Sequence, residues 1–304
     1  MHAEIFACAG NSIRVFADGA SGADAPLRVI AGATSGVNEC YDVAYDAVHD
    51  EIVVAHGPVS VFAGGDSGDV APLRQIFGDM TGMGFAVSIA IDTQGDELVV
   101  GSTGPMISTF TRTANGNVAP TRSFSPSGTL DTPVALYVDR IRDEVAASRY
   151  TAPGLVYYFD RLSGAQIGSH NPVSAPAPRG LYIEAASGSL VIATSSGVET
   201  FDHSGALVTY FAYPTLNSPW GLAVLGTGET WVGNQSSTST DPDPLLLFPA
   251  GAAGAGATLS RQINTGAPGS SNLYGIASSR AANCGAGHVA CDSVFRGSFD
   301  VVYR

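Results

Sequence analysis

Short apolar runs, separated by polar or Gly- and Pro-rich clusters, recur along the whole chain. From Tyr41 to Phe62, YDVAYDAVHDEIVVAHGPVSVF reads as a strand, a turn at Asp46 to Asp50, a second strand, a break at His56-Gly57-Pro58 and a third strand. The phrase returns as VSIAIDTQGDELVVGSTGPMISTF from Val87 to Phe110. It returns more loosely as VALYVDRIRDEVAASRYTAPGLVYYF from Val134 to Phe159. No stretch carries a convincing amphipathic helical pattern, so an all-β chain is predicted.

Two anchors set the period. The residues closing the first strand of each unit are Asp46, Asp92, Asp139, Glu184, Leu225 and Ser279, at spacings of 46, 47, 45, 41 and 54. APLR at Ala25 to Arg28 recurs at Ala71 to Arg74 and as APTR at Ala119 to Arg122, 46 and 48 residues apart. Repeats of this length mark solenoids or propellers. The APLRVI-type segment reads as the fourth strand of a unit. The N-terminal EIFACAGNSIRVFADGASGADAPLRVIAG matches a unit from its second strand onward, and the missing first strand stands near the other end as LYGIASS, Leu273 to Ser279. A six-bladed β-propeller is therefore predicted as one domain over residues 1–304, with blades near 41–83, 84–132, 133–177, 178–218, 219–272, and 273–304 with 1–40. Pairing of the N- and C-terminal strands would close the last blade and leave no open edge in the ring. NQSSTSTDPDP, Asn234 to Pro244, is too polar for a strand and is expected to project as a loop. The tail after Arg280 does not fit the repeat.

Pro178-Arg179-Gly180-Leu181-Tyr182-Ile183 and Pro219-Trp220-Gly221-Leu222-Ala223-Val224, each followed by a turn and an apolar strand, resemble the NHL-type repeat of six-bladed propellers. Tyr274-Gly275-Ile276-Ala277 lacks the Pro. The resemblance implies the same fold as the repeats do. It implies little about function, since relatives of that fold include lactonases, lyases and pure binding platforms.

Composition narrows the partners. Among 304 residues that are 45% hydrophobic, no apolar run is long enough to span a membrane. The formal net charge is −13, and all 14 basic residues are Arg. Such a chain cannot easily present the basic face that nucleic acid requires. HAEIFACAG lacks the basic start and apolar core of a secretion signal, which leaves open that one was removed. Of the four Cys, Cys284 and Cys291 enclose the Gly-rich GAGHVA and are expected to form a disulfide, while Cys8 and Cys40 are expected to stay unpaired. An even Cys count in a Lys-free, Gly- and Ser-rich chain points to an extracellular or periplasmic location.

No constellation points to catalysis. GDSG at Gly65 to Gly68 looks like a serine-protease nucleophile motif, but it falls in the turn before a fourth strand, where Gly, Asp and Ser are the residues a turn needs. The six His lack the spacing of a metal pair on one element. Asp42, Asn38 and Asn234 are calcium candidates, yet the positions equivalent to Asp42 are Ser88, Ala135, Gly180, Gly221 and Gly275, too few carboxylates for a hard cation. Asp46, Asp92 and Asp139 precede turn residues and read as turn caps. Asn234-Gln235-Ser236 matches a glycosylation sequon. No cofactor is expected.

The expected activity is non-catalytic binding or scaffolding, with a protein, small-molecule or carbohydrate partner. A lactonase-like hydrolase or lyase over the tunnel is the alternative. In a propeller the first strand of each blade starts, and the second ends, on one face. That places Tyr41, Val87, Val134, Arg179, Trp220 and Tyr274 around the tunnel mouth, with His56, Ser102, Arg149, Thr194 and Gln235 just outside. Tyr41, Arg179, Trp220 and Tyr274 come from four successive blades and form the expected binding arc. His56, Arg149 and Asn234 flank it. Aromatic and Arg side chains combine large contact area with a polar handle, which favours binding.

Overall fold

The computed structural model describes residues 3–125, 130–149, 151, 154–171, 178–216, 219–235, 244–266 and 273–279, the side chains of 273 and 274 excepted. They form six four-stranded antiparallel sheets arranged as the blades of a propeller. Blade one comprises β4 (Asp42–Asp46), β5 (Glu51–Ala55), β6 (Val59–Ala63) and β7 (Arg74–Ile76), from the axis outward. Blade two follows with β8 (Ala86–Asp92), β9 (Glu97–Ser102), β10 (Met106–Thr111) and β11 (Arg122–Phe124). Blade three has β12 (Pro133–Asp139), β13 (Glu144–Arg149), β14 (Val156–Asp160) and β15 (Gln166–His170). Blade four has β16 (Gly180–Ile183), β17 (Leu190–Thr194), β18 (Gly197–Phe201) and β19 (Leu207–Phe211). Blade five has β20 (Pro219–Val224), β21 (Thr230–Asn234), β22 (Pro244–Phe248) and β23 (Arg261–Asn264). Blade six takes its inner strand β24 (Leu273–Ser278) from the C-terminal side and β1 (Glu4–Ala9), β2 (Ser12–Ala17) and β3 (Arg28–Ile30) from the N-terminus. Ile5 pairs with Ser278 and Ala7 with Ile276, so the two ends of the chain close the ring.

The inner strands pack side by side around the axis, and the register column next to the mouth shows how closely. A Cβ on Gly180 would stand 2.7 Å from that of Leu222, one on Gly221 2.7 Å from Ile276 Cγ1, and one on Gly275 2.6 Å from Asp42 Cα. Glycine is needed here because backbone and side-chain atoms of the next blade occupy the space a Cβ would take. Between blades lie separate apolar clusters, such as Ile5, Trp231 and Ile276 between blades five and six, and Phe6, Ile52 and Phe62 between blades six and one.

The turns after the inner strands are capped as expected. Asp46 Oδ1 accepts the Val48 and His49 N–H, Asp139 Oδ1 those of Ile141 and Arg142, and Asp92 Oδ1 that of Gly95. The GDSG segment is a turn: Asp66 accepts the Ala63 N–H, and Gly68, at φ 82°, forms a parallel bridge to Ile30 of the preceding blade. Gly22, Gly116 and Gly254 bridge the preceding blade in the same way, covering the outer edges of β23, β7 and β19.

The recurring APLR/APTR Arg proves to be a clamp between blades. The fourth strand starts at this residue, shorter than the sequence suggests, because the chain before it is still in the loop. Arg28, Arg74 and Arg122 make bidentate pairs with Glu4, Glu51 and Glu97, the first residues of second strands in their own blades. Each also donates to a carbonyl of the next blade, that of Gly64, Arg112 and Arg161 respectively. Burial acts to raise the Glu51 pKa, but the Arg74 and Arg112 guanidinium groups outweigh it and hold it below the ordinary value. The Arg122 pair lowers that of Glu97. A carboxylate held below its unfolded pKa contributes stability above that unfolded value and loses it as pH falls through the folded one. The melting temperature is thus expected to drop as pH falls below about 4, and less steeply in a Glu51→Gln/Glu97→Gln variant. Parallel pH profiles would contradict the clamp.

Two sequence expectations about cysteine meet different outcomes. Cys8 and Cys40, expected unpaired, are joined by a disulfide with Cα atoms 5.2 Å apart. Cys8 lies in the first strand after the chain start, in blade six, and Cys40 just before β4 of blade one. Ring closure, which no local spacing reveals, brings them together, helped by the Cys40 N–H donating to the Gly10 carbonyl. Cys284 and Cys291, like the whole tail after Arg280, lie outside the described residues.

Candidate functional site at the tunnel mouth

The mouth side chains are set by a repeated backbone irregularity. In β8, β12 and β20 the pairing with the second strand skips one residue, between Ala86 and Ser88, Pro133 and Ala135, and Pro219 and Gly221. The skipped residues are Val87, Val134 and Trp220. In blades one and four, the Tyr41 and Arg179 N–H groups donate to the same carbonyls, those of Ala55 and Ala193, that oppose the next residue along. An extra residue on one strand re-aims its side chain out of the ladder. These irregularities turn one side chain in each of blades one to five toward the axis.

Tyr41, Val87, Val134, Arg179 and Trp220 all line a cavity of about 560 Å³ that runs down the axis. Tyr274 lies at the start of β24, and its side chain is not among those described. Arg179 lies over Trp220, its guanidinium carbon 3.9 Å from the ring centroid, an attraction between the cation and the π face. Trp220 Nε1 donates to Gln235 Oε1 at 3.4 Å. The indole is thus held between the guanidinium and the end of the second strand, and one of its faces is already covered.

The second ring is less uniform. Arg149 Nε donates to Thr151 and lies 3.6 Å from Asp131 at the rim. His56 is buried, its Nε2 2.7 Å from Ser60 Oγ, and burial lowers its pKa to about 4, so it is neutral at pH 7. Asn234 is the last residue of β21, only 2% exposed, and donates to the Thr215 carbonyl. That burial leaves no room for a glycan on its side chain. Residues 236–243 of the expected projecting loop lie outside the described set.

Sequence reasoning overlooked Phe85. It is 40% exposed and meets Tyr41 edge-to-face with centroids 5.3 Å apart, extending the aromatic surface toward blade two. The equivalent residues in the other blades are Glu39, Thr132, Ala177, Ser218 and Asn272. A large aromatic in that column was the available signal.

Below the mouth, Val43, Ile89, Leu136, Leu181, Leu222 and Ile276 form a six-membered aliphatic ring, each lining the cavity. Among the described residues, Asp42 and Arg179 are the only charged residues of the cavity wall. Asp42 Oδ2 accepts the Ile89 N–H of the next blade and Oδ1 the Val43 N–H. Burial raises its pKa to about 7 against the lowering effect of those two bonds. Among the described residues, no three His, Cys, Asp or Glu side chains converge as a metal site would require.

No protein-family model matches the chain, and no curated protein matches it either. Among solved structures it is similar to the WD40 β-propeller domain of Doa1, at 13% identity and a TM-score of 0.53, over 77% of this chain and 70% of that one. At that identity the likeness concerns the fold alone. No helix among the described residues is long and apolar enough to cross a membrane.

Proposed function

We propose that this is a binding or scaffold propeller, of NHL type, which takes a small-molecule, carbohydrate or protein ligand at the tunnel mouth through Tyr41, Arg179, Trp220 and Tyr274, with His56, Arg149 and Asn234 shaping the surrounding rim. The observation that carries this reading is the Arg179 guanidinium 3.9 Å above the Trp220 ring, at the opening of a cavity more apolar than polar. A stacked guanidinium has lost its freedom before a ligand arrives, so less ordering remains to be done on binding. Concave, mostly apolar cavities with a few placed polar groups are the usual form of a small-ligand site. The catalytic alternative needs an acid and a base that converge. The described cavity wall offers one carboxylate, Asp42, with both oxygens already accepting backbone N–H groups. The Cys8–Cys40 disulfide supports an extracellular or periplasmic setting, where such bonds persist.

The test is a glycan, peptide and small-molecule array probed with the wild type and with Trp220→Ala and Arg179→Ala variants, with melting curves taken in parallel. Ligands found with the wild type are expected to bind each variant about tenfold or more weakly, in keeping with an interface hot spot, while cooperative melting is retained. Undiminished binding together with lowered melting temperatures would show that the stack is packing between blades.

A further inference from the structure

We propose that the ligand is a small amphipathic carboxylate, its apolar body lowered into the tunnel and its head held at the mouth by Arg179; this rests on the tunnel-mouth reading above. The cavity, about 560 Å³, is of small-ligand size and continues from the mouth down to Ser278 and Ser279. Its upper wall is the aliphatic ring that starts at Val43. The layer beneath is uneven: Ala44, Ala90, Ala223 and Ala277 stand on four blades, and Tyr137 and Tyr182 on the other two. The two tyrosines meet edge-to-face at 5.6 Å, filling one side, while the four alanines leave space on the other. The aliphatic ring and the space over the alanines suit a narrow hydrocarbon or ring system, while the polar groups are set at the ends of the described wall, by Thr103 and Thr132 near the mouth and by Ser278 and Ser279 below. At the top, the guanidinium rests over the Trp220 ring, and a planar guanidinium suits a carboxylate better than a point charge does.

The second charged residue of the wall, Asp42, belongs to blade one. It sits three blades from Arg179 and hence across the six-bladed ring. Other titratable groups in and beside the described cavity wall keep their protonation state near neutral pH. His56, which directly follows β5, is neutral. Burial raises the pKa of Tyr45 and Tyr137 and pushes that of Tyr182 up to about 12, so all three are uncharged. Among the described residues, β8 brings the Ile89 N–H and β24 the Gly275 backbone against Asp42. Ionised Asp42 opposes an anion in the tunnel, and protonated Asp42 does not. With its pKa near 7, an anionic ligand should bind more tightly in mild acid than in mild base.

The experiment is calorimetric titration with decanoate, decanol and decyltrimethylammonium, each below its micellar range, at pH 5.5 and 8.5. Decanoate, ionised at both, is expected to bind at least tenfold more tightly than the cation at pH 5.5 and severalfold more weakly at pH 8.5, with decanol insensitive to pH. Arg179→Gln should cost decanoate about tenfold, the loss of one charge-assisted pair. Asp42→Asn should remove the pH dependence, and Ala90→Phe, which fills the space beneath the aliphatic ring, should abolish decanoate and decanol binding alike. If Asp42→Asn does not fold, the contrast between decanoate and decanol in the wild type decides the charge argument. Preference for the cation, no binding of decanoate, or binding untouched by Ala90→Phe overturns the inference. These outcomes leave the mouth reading standing so long as array ligands still depend on Trp220 and Arg179, and that reading falls if they do not.

Discussion

A chain that lacks residues 273–304 is expected to lose cooperative folding altogether. β24 is the inner strand of blade six and, among the described residues, the piece of that blade that comes from the C-terminal side. Its removal strips β1 of its ladder partner and leaves Glu4 without the Ser279 hydroxyl and N–H groups it bonds. It also takes Ile276 from the cluster that holds Trp231 and Ile5, and it uncovers the inner strands of blades five and one on either side of the gap. The freed edge of β1 would present unpaired N–H and C=O groups, a template for aggregation, while the inner strands on either side would lose apolar cover. Propeller blades bury their faces only against neighbours, so the loss propagates around the ring. Circular dichroism melting and size exclusion of the truncated chain check this. A soluble monomer with a cooperative transition would contradict it.

Reduction of the Cys8–Cys40 disulfide, or the Cys8→Ala/Cys40→Ala variant, is expected to lower stability by about 3–4 kcal/mol. The bond closes a loop with a sequence separation of 32 residues and ties blade six to blade one beside the closure strand. Chain-entropy arguments put the cost of opening a loop of that length in this range. Because Cys8 and Cys40 pack with Phe6, Ile13 and Val43, the paired Ala variant also leaves a small void, so it should fall slightly below the reduced wild type. Urea unfolding with and without reductant measures the difference. Coincident midpoints, with the bond shown intact by mass before reduction, would contradict it.

The inner strands were readable because three kinds of residue recur there in fixed order: a mouth residue, a small residue, then alternating apolar positions ending at a turn cap such as Asp46, Asp92 or Asp139. Each has a local cause, close packing or turn geometry, and local causes leave local patterns. What was hidden depends on register between strands far apart in sequence. APLR was visible as a repeat, but that Arg74 meets Glu51 and the Arg112 carbonyl follows only from four strands laid side by side with the next blade. Cys8 and Cys40 become neighbours only when the ends of the chain meet. The bulges that aim Trp220 and Val87 change no residue type, so the sequence carried no mark of them. Phe85 left a mark, but in a linker that the repeat did not cover.

The most direct test of the binding site leaves the protein unaltered: amide hydrogen exchange of the wild type with and without a ligand recovered from the array. The account predicts added protection at the starts of the inner strands, around residues 41–43, 86–89, 179–181 and 219–222, with the outer strands β3, β7, β11 and β15 unchanged. Protection confined to those outer strands, with the tunnel mouth exchanging as before, would contradict it.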